Sequence, residues 1–341
     1  MEKIKIGFGP ETTANSFYQS GVKVAEKLNQ DGRFECGFFK EPFDYESLSY
    51  FDVLIFIKIC PSYDILKMLK NDRKALVLDY QDMVFFTNIY ERNPVKKILK
   101  KILYFDLEKK KKERYRLFDR CIVASPGSEK IARDAGMTPY FLFRQVYNDR
   151  NFERPKIHTD KTERLTILWT GIGFNLCQNK PVEPILQKLC AKHNCRVIYL
   201  TKDVAEKDNY IEYKRWSIDM WENDLAEADI AFRWWLDSDN NQYCKDSNKI
   251  ISYMAAALPV VCHPTLADKL VMTHGKTGFF AETTEKFALY IEKLIENPRL
   301  RKEVGEAAFR EVWGKYSLNN HVEELKKVIL DLAVEKQWDA D

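Results

Sequence analysis

The segment Asp246-Ser-Asn-Lys-Ile-Ile-Ser-Tyr-Met-Ala-Ala-Ala-Leu-Pro-Val-Val261 has the pattern of a helix that continues into a buried strand. Lys249 stands near the predicted helix start, and Pro259 ends the helix. One apolar stripe is formed by Ile250, Ile251, Met254, Ala255 and Leu258. A helix start that carries a lysine suits a diphosphate, because helix N–H groups and an ammonium both attract anions. A packed helix–strand unit of any α/β protein, with Lys249 as a solvated lysine, has the same pattern.

Strand and helix patterns alternate around this stretch in two successive sets. The first set contains predicted strands at 4–8, 34–39, 53–59, 75–78, 121–124 and 140–143. The second set contains predicted strands at 165–170, 196–200, 211–213, 230–232, 259–262 and 278–281. Alternation of this kind predicts parallel sheets with helices on their faces. The predicted fold class is therefore α/β, with two Rossmann-like doubly wound domains.

A polar stretch at 148–162 separates the two sets. It contains Pro155 and lacks periodicity, so we interpret it as an interdomain linker. The predicted domains are 1–150 and 164–316, and 317–341 is a C-terminal helix. Ligands of doubly wound sheets bind at the carboxyl ends of strands, at topological switch points. We therefore expect the binding site in the cleft between the two domains.

Composition excludes several classes of protein. The chain has 341 residues, of which 45% are hydrophobic and 31% charged, as in a soluble globular protein. Its eight cysteines are scattered without C-x-x-C spacing, which favours reduced thiols in a cytoplasmic protein over disulfides or a zinc site. The N-terminus enters a strand directly, without a signal-peptide pattern, and no apolar run reaches the ~18 residues of a membrane span.

The basic residues are concentrated in one predicted helix. The net charge is +3, but 96–116 contains ten Lys/Arg and three Asp/Glu, or +7, so the remainder is −4. This distribution does not indicate a nucleic-acid-binding protein. Apolar residues from Val95 to Leu103 recur with helical spacing, with Lys96, Lys97, Lys100 and Lys101 between them. Such a helix can lie on an anionic membrane or simply pack its apolar face on the first domain.

Several stretches resemble retaining glycosyltransferases of the GT-B fold, family 4 in particular. In that family the helix discussed above also begins at a lysine and continues to Tyr-Met-Ala and Leu-Pro-Val-Val. The other similar stretches are 118–125, 221–231, 275–279 and 316–317. The resemblance covers the C-terminal half well and the N-terminal half weakly. It implies an N-terminal acceptor domain, a C-terminal donor domain and a C-terminal helix that crosses back to the first domain.

The resemblance implies a nucleotide diphosphate sugar as the donor, whose leaving phosphates need fixed positive charge. Lys249 is the main candidate, and Lys180 stands where the family carries a second phosphate-binding lysine. The arginine usually found a few residues before Lys180 is missing. Arg233 is the candidate replacement, since a guanidinium binds phosphate in a bidentate manner; an ordinary surface arginine is the alternative. The remaining donor-site candidates are Gly171, Gly173, Thr201, Trp216, Ser247, Asn248 and Ser252.

Two departures from the family pattern concern its paired glutamates, eight residues apart. Cys244 and Ser252 occupy these positions here. The second glutamate normally binds the donor ribose, a contact that the Ser252 hydroxyl could make more weakly. Asp237 and Asp239 precede the helix where the family contacts the sugar, although an ordinary polar loop has the same composition. The identity of the donor therefore stays open.

The first domain contributes candidates for the acceptor side. Asp79 and Asp82 follow a buried strand and could orient the acceptor hydroxyl or accept its proton; an N-cap and turn pair is the alternative. The family's histidine is absent from this position. The loop that follows the first strand supplies Gly9, Thr12, Thr13 and Asn15. We find no metal-ligand set and expect neither a cofactor nor a required metal.

The resemblance implies a retaining, metal-independent hexosyltransferase that acts on a glycan or lipid-linked acceptor in cell-surface polysaccharide or glycolipid assembly. The expected location is the cytoplasm, with peripheral contact to the inner membrane face. A nucleotide-sugar epimerase or hydrolase of the same fold would show acid and base groups clustered around the sugar. A catalytically weak nucleotide-sugar-binding partner subunit would follow from the loss of both glutamates.

Overall fold

The computed structural model describes residues 2–81, 95, 105–144, 164–202, 210–217, 220–236 and 243–337, without the side chains of 105–108 and Phe174. The predicted linker lies outside the described residues, as do Asp82, Asp237, Asp239 and the lysines from Lys96 to Lys101. The chain forms two compact units. The first contains residues of 1–147 together with Tyr243–Asp246 and Leu318–Asp341, and the second contains residues of 148–242 together with Ser247–Ser317.

The first unit is built on a six-stranded sheet in the order β2-β1-β3-β4-β5-β6, and its pairings are parallel. Its strands are β1 (Ile4–Gly9), β2 (Phe34–Phe38), β3 (Val53–Ile57), β4 (Ala75–Asp79), β5 (Arg120–Val123) and β6 (Pro139–Phe141). All five residues of β3 and of β4 are buried, which is why these strands read as continuous apolar runs. The predicted α/β class with a parallel sheet is confirmed here.

Helices connect these strands and cover the sheet. They are α1 (Asn15–Phe17), a π-helical turn (Tyr18–Val22), α2 (Lys23–Leu28), α3 (Tyr45–Ser49), α4 (Tyr63–Asn71), α5 (Phe105–Tyr115) and α6 (Pro126–Asp134). Capping residues fix where three of these helices begin. The side-chain oxygens of Asp44, Ser62 and Ser125 accept hydrogen bonds from backbone N–H groups in the first turns of α3, α4 and α6. No described helix is both long and apolar enough to cross a membrane.

The C-terminal helix, Leu318–Lys336, belongs to the first unit, which agrees with the predicted return to that domain. Its apolar face is buried through residues such as Val322, Leu325 and Ile329. Polar contacts hold its exposed side: the ammonium of Lys326 lies 3.0 Å from the Asp31 carboxylate, and the Tyr140 hydroxyl donates to Glu324 at 3.1 Å. The first unit therefore contains both ends of the chain.

The second unit has its own six-stranded sheet in the order β12-β11-β10-β7-β8-β9, again with parallel pairings. Its strands are β7 (Leu165–Thr170), β8 (Cys195–Thr201), β9 (Ile211–Arg215), β10 (Ile230–Arg233), β11 (Val260–Cys262) and β12 (Phe279–Phe280). Each strand lies where the sequence predicted one, with ends that shift by one or two residues. The second doubly wound domain is thus confirmed.

The helices of the second unit pack around an aromatic core that includes Trp169, Tyr199, Phe232 and Phe287. They are a short 3₁₀ helix (Gly173–Asn179), α7 (Glu183–Lys192), α8 (Trp221–Glu227), α9 (Asn248–Ala255), α10 (Asp268–Val271), α11 (Thr284–Glu296) and α12 (Pro298–Lys315). The predicted apolar stripe on α9 is fully buried, as the periodicity requires.

A histidine inside the first unit generates a testable pH dependence. His321 of the C-terminal helix is buried, and its Nδ1 donates to the Phe143 carbonyl at 3.1 Å. Burial lowers the pKa of His321 from 6.5 to about 4, and the nearby Arg144 charge acts in the same direction. As the pH falls, His321 takes up a proton near pH 6.5 in the unfolded chain but only near pH 4 in the folded protein. The free energy of unfolding is therefore highest above about pH 6.5 and decreases as the pH falls towards 4.

Between pH 6.5 and pH 4, protonation of His321 should lower the free energy of unfolding by on the order of 3 kcal/mol. Urea unfolding between pH 4.5 and 7.5 measures the effect. His321→Asn, which keeps a donor for the Phe143 carbonyl, should show a shallower pH dependence than the parent between pH 5 and 6.5. Identical slopes for the two proteins would contradict the assignment.

Candidate functional site

The second sheet has a topological switch point between β7 and β10. The chain runs outward from β7 through β8 to β9 and then returns to the other side of β7 as β10. Such points are where parallel α/β sheets bind ligands, beyond the carboxyl ends of the strands. Thr170 ends β7 and Gly171 follows it. This edge of the sheet is the candidate site, which we call the β7 edge.

Lys249 lies at the β7 edge. It is the second residue of α9, and its ammonium lies 5.3 Å from the centroid of the Trp169 ring, a cation–π distance. A Cβ on Gly171 would lie 3.1 Å from that ammonium and 2.3 Å from Cη2 of Trp169. Gly171 is therefore required by packing against Trp169, and its small size also leaves room for Lys249. The structure thus brings two predicted donor-site residues together.

Helix α9 is fixed against the same strand end. The backbone N–H of Thr170 donates to the Tyr253 hydroxyl at 2.8 Å, and the Thr170 hydroxyl lies 3.1 Å from it. Burial raises the pKa of Tyr253 to about 12, so this phenol stays neutral. Ser252 donates its hydroxyl to the Asn248 carbonyl at 3.0 Å, within the helix. The Ser252 hydroxyl can still accept a hydrogen bond, but it donates its own hydrogen to the Asn248 carbonyl.

Thr201 and Trp216 lie together at the next strand ends, beyond β8 and β9. The backbone N–H of Trp216 donates to the backbone carbonyl of Thr201 at 2.9 Å. The ammonium of Lys202 lies 4.9 Å from the centroid of the Trp216 ring. Gly173 begins the 3₁₀ helix and Lys180 follows its end, with an exposed side chain. No described contact joins Lys180 to Lys249, so the pairing of these two lysines remains a prediction.

Arg233 has a different environment from the predicted one. It is 2% exposed, and its guanidinium pairs with Asp268 and donates to the His263 carbonyl at 3.2 Å. Burial by itself raises the pKa of Asp268, but the charge of Arg233 and the hydrogen bonds from Arg233 and Thr265 together hold that pKa below its ordinary value. The arginine is therefore the partner of a buried carboxylate, and the alternative of an ordinary surface arginine is wrong. A direct contact of Arg233 with a phosphate stays a prediction.

Asp79 lies in a second buried ion pair. It ends β4, is 3% exposed, and its Oδ1 lies 2.8 Å from Nη2 of Arg144. Gln81 donates to its other oxygen at 2.6 Å and to the Ser20 hydroxyl at 2.9 Å. Both carboxylate oxygens thus face side chains of the first unit. A catalytic role for Asp79 towards an acceptor hydroxyl stays a prediction, and Asp82 lies outside the described residues.

Arg144 also binds the segment that precedes α9. Its Nε donates to Asp246 at 3.2 Å, and the Ser125 hydroxyl donates to the Cys244 carbonyl at 3.0 Å. Gly127 packs so closely on Tyr243 that a Cβ there would lie 2.1 Å from the Tyr243 carbonyl oxygen. Cys244 is buried in the apolar core of the first unit. A glutamate at this position would be desolvated, which gives a physical reason for its absence.

The acceptor-side loop lies after β1. Gly9 is required by packing, since a Cβ there would lie 2.3 Å from the Phe39 ring. Thr12 and Thr13 are exposed, and the Thr12 hydroxyl accepts from the Ala14 N–H at 3.3 Å. Asn15 begins α1. These positions are compatible with contacts to an acceptor, but the described contacts assign none to them.

One group of described residues has metal-ligand chemistry: His193, Glu292 and Glu296. The ammonium of Lys192 lies 2.7 Å from Glu292 and already supplies a positive charge there. His193 precedes β8, so this group lies at the opposite edge of the sheet from Lys249. It has no connection with the candidate site.

Sequence reasoning missed Arg144, Asp268 and Tyr253. A charged residue directly after an apolar strand, as in Phe141-Leu-Phe-Arg144, was the available signal for the first. Nothing in the sequence pairs Asp268 with Arg233, which lies 35 residues earlier. Tyr253 belongs to the helix motif, but only the fold shows that its hydroxyl meets the end of β7.

Comparison with solved structures finds the same architecture along nearly the whole chain. HepE of Anabaena, solved with UDP and glucose, superposes with a TM-score of 0.62 and 10% identity, covering 96% of this chain and 99% of that one. A glycosyltransferase of Rickettsia africae gives a TM-score of 0.67 and 13% identity, over 97% and 99%. The chain has the GT-B fold.

WaaG, a glycosyltransferase involved in lipopolysaccharide biosynthesis, has the same fold, with a TM-score of 0.61 and 13% identity over 96% of this chain and 99% of that one. No family model matches the sequence, and no curated protein matches it. The predicted GT-B architecture is therefore confirmed by structure alone. At these identities the likeness establishes the fold, and the activity is a separate question.

The buried pair of Arg233 and Asp268 predicts a large effect on stability. Asp268→Ala should lower the free energy of unfolding by about 3–5 kcal/mol, because it leaves a buried guanidinium without its counter-charge. Denaturant unfolding followed by tryptophan fluorescence measures this. The matched control is Asp134→Ala, which removes the exposed pair of Asp134 with Lys130 and should change the free energy of unfolding far less. Similar losses in both variants would contradict a buried structural role for the pair.

Proposed function

We propose that this protein is a glycosyltransferase that uses a nucleotide diphosphate sugar as donor. One observation carries the proposal: Lys249 lies at the start of α9 and beside Gly171, at the switch point of the second sheet. A fixed ammonium at a helix start suits a diphosphate and stabilises it as a leaving group. The GT-B fold supports the proposal, since HepE, with the same fold, is solved with UDP-glucose.

The nucleotide would extend from Lys249 towards the ends of β8 and β9. Trp216, with Lys202 over its ring, offers an aromatic surface beside Thr201 for a nucleobase. Lys180 is the candidate for a second phosphate contact. Asn248 and Ser252 lie on the turn of α9 that carries Lys249 and are the candidates for the ribose and the phosphates. The sequence motifs around Lys249 support the family 4-like assignment.

We further propose a retaining, metal-independent reaction on a hydroxyl acceptor in cell-surface glycan or glycolipid assembly. WaaG, which has the same fold, acts in lipopolysaccharide biosynthesis and supports this direction. Anomeric proton NMR of the product distinguishes retention from inversion. Transfer that survives EDTA supports metal independence, and transfer that EDTA abolishes and Mg²⁺ or Mn²⁺ restores overturns it.

An epimerase or hydrolase of the same fold is less well supported. That chemistry needs acid and base groups around the bound sugar. Asp79, at the end of β4, and Asp268, at the start of α10, are both buried and both held by arginines. A catalytically weak binding subunit predicts nucleotide binding without turnover, so assays of transfer and binding together separate it from an enzyme.

Replacing Lys249 tests the proposal directly. Lys249→Ala should weaken binding of the preferred nucleoside diphosphate by about 10- to 150-fold, since a charge-assisted hydrogen bond contributes about 1.5–3 kcal/mol. Titration calorimetry with UDP, GDP, ADP and dTDP gives the affinities, and sugar transfer should fall with them. The melting temperature of the free protein should change little, because Lys249 is only half-buried.

Lys302→Ala is the matched control. Lys302 is an exposed lysine of α12 in the same unit, so its loss removes an equal charge away from the β7 edge. Its nucleotide affinity should equal that of the parent protein. If the Lys249 variant binds every diphosphate as the parent does, the proposed site is wrong.

Contact with an anionic membrane remains a proposal that rests on the basic helix. Four consecutive lysines, 109–112, lie on α5, and Lys109 and Lys110 are exposed. The protein should bind anionic vesicles at low salt and be released by salt, because each basic residue contributes about 1 kcal/mol near an anionic surface. Replacing Lys96, Lys97, Lys100 and Lys101 by Gln should remove most of this binding without lowering the melting temperature. Equal sedimentation with neutral and anionic vesicles would contradict the proposal.

A further inference from the structure

We infer that Arg233 and Asp268 are positioning residues for the nucleotide site and act on it through Ser247. The inference rests on the proposed function, because it concerns the same helix start that carries Lys249. It replaces the direct phosphate contact predicted for Arg233 by an indirect role. Asp268, which no sequence motif singled out, thereby becomes a positioning residue of the site.

Asp268 is the centre of the arrangement. It is fully buried, and its two carboxylate oxygens accept hydrogen bonds from three other elements of the second unit. Arg233, at the end of β10, donates from Nη1 at 3.1 Å. Thr265 donates both its N–H and its hydroxyl at 2.7 Å, and Ser247 donates its hydroxyl at 2.9 Å. A carboxylate with this many donors has one orientation and holds each donor in place.

Ser247 connects Asp268 to the first turn of α9. It is the residue that precedes the helix and is 2% exposed. A serine at this position ordinarily caps its own helix, but the Ser247 side chain makes no capping hydrogen bond and binds Asp268 instead. Its carbonyl accepts the Ile251 N–H at 2.8 Å, the first bond of the helix. Asp268 therefore fixes the first turn, and with it the backbone of Lys249.

Arg233 is needed because Asp268 is buried. A carboxylate without exposure to water would take up a proton unless a positive charge faced it. The guanidinium supplies that charge and is itself anchored to the His263 carbonyl. The pair is thus an ionised anchor, placed at the end of the strand that forms one side of the switch point. A phosphate-binding lysine benefits from a rigid supporting shell of this kind.

Ser247→Ala tests this inference without removing the buried charge pair. Asp268 keeps Arg233 and Thr265, so the fold should survive. Hydrogen exchange of the free protein should become faster for amides 248–252, and affinity for the preferred nucleoside diphosphate should fall roughly three- to thirty-fold. Ser247→Thr, which retains the hydroxyl, should restore both quantities most of the way to the parent values.

Thr277→Val is the matched control. Thr277 is 2% exposed in the same unit, and its hydroxyl accepts from the Thr273 N–H at 2.8 Å, without a described contact to α9. This variant should lose stability to a similar extent, yet bind the nucleotide as the parent does. Loss of affinity equal to that of Ser247→Ala would mean that general destabilisation explains both, and would overturn the inference.

The exchange measurement separates this inference from the proposed function. If affinity falls while exchange of amides 248–252 stays the same, Ser247 contacts the ligand directly and the positioning role is wrong. If exchange rises and affinity does not change, the first turn is anchored as described but does not serve the site, which also overturns the inference. If the parent binds none of UDP, GDP, ADP and dTDP, the proposed function itself fails, whatever the exchange shows.

Discussion

The described strand pairings of both sheets are parallel, and this constraint organises the molecule. A parallel sheet needs a crossover helix between successive strands and is covered on both faces, so its strands are apolar along their length. It also brings the carboxyl ends of all strands to one edge. In the second unit that edge contains the switch point between β7 and β10. The position of Lys249 follows from this topology, since α9 packs where those two strands end.

Buried arginine–aspartate pairs occur at the carboxyl ends of both sheets. Arg144 binds Asp79 in the first unit, and Arg233 binds Asp268 in the second. Such pairs contribute little net stability relative to apolar packing, but breaking one leaves a buried charge that is costly. Their effect is to give the chain one conformation at these edges. Along the chain, Asp246 is held by the first pair and the next residue, Ser247, by the second.

The departures from the glycosyltransferase pattern have physical counterparts in the structure. Cys244 is buried among apolar residues of the first unit, where a glutamate would lack solvent and a partner. Ser252 uses its proton inside α9. The proposed donor site would therefore depend on Lys249, the Trp169 ring and the anchored helix start, without the two carboxylates of the family pattern. The nucleotide panel tests which donor such a site would accept.

Sequence patterns were sufficient to predict the α/β class, the twelve described strands and the helix that carries Lys249. These features depend on local periodicity, on proline and on capping residues, and each is encoded within a few residues of where it acts. The ion pairs of Asp79 and Arg233 could not be predicted from the sequence and became visible only in the folded chain. Their partners lie 65 and 35 residues away, as the numbers of Arg144 and Asp268 show. A carboxylate or guanidinium at a strand end has the same sequence signature whether it faces a ligand or a buried counter-charge, and only packing distinguishes the two.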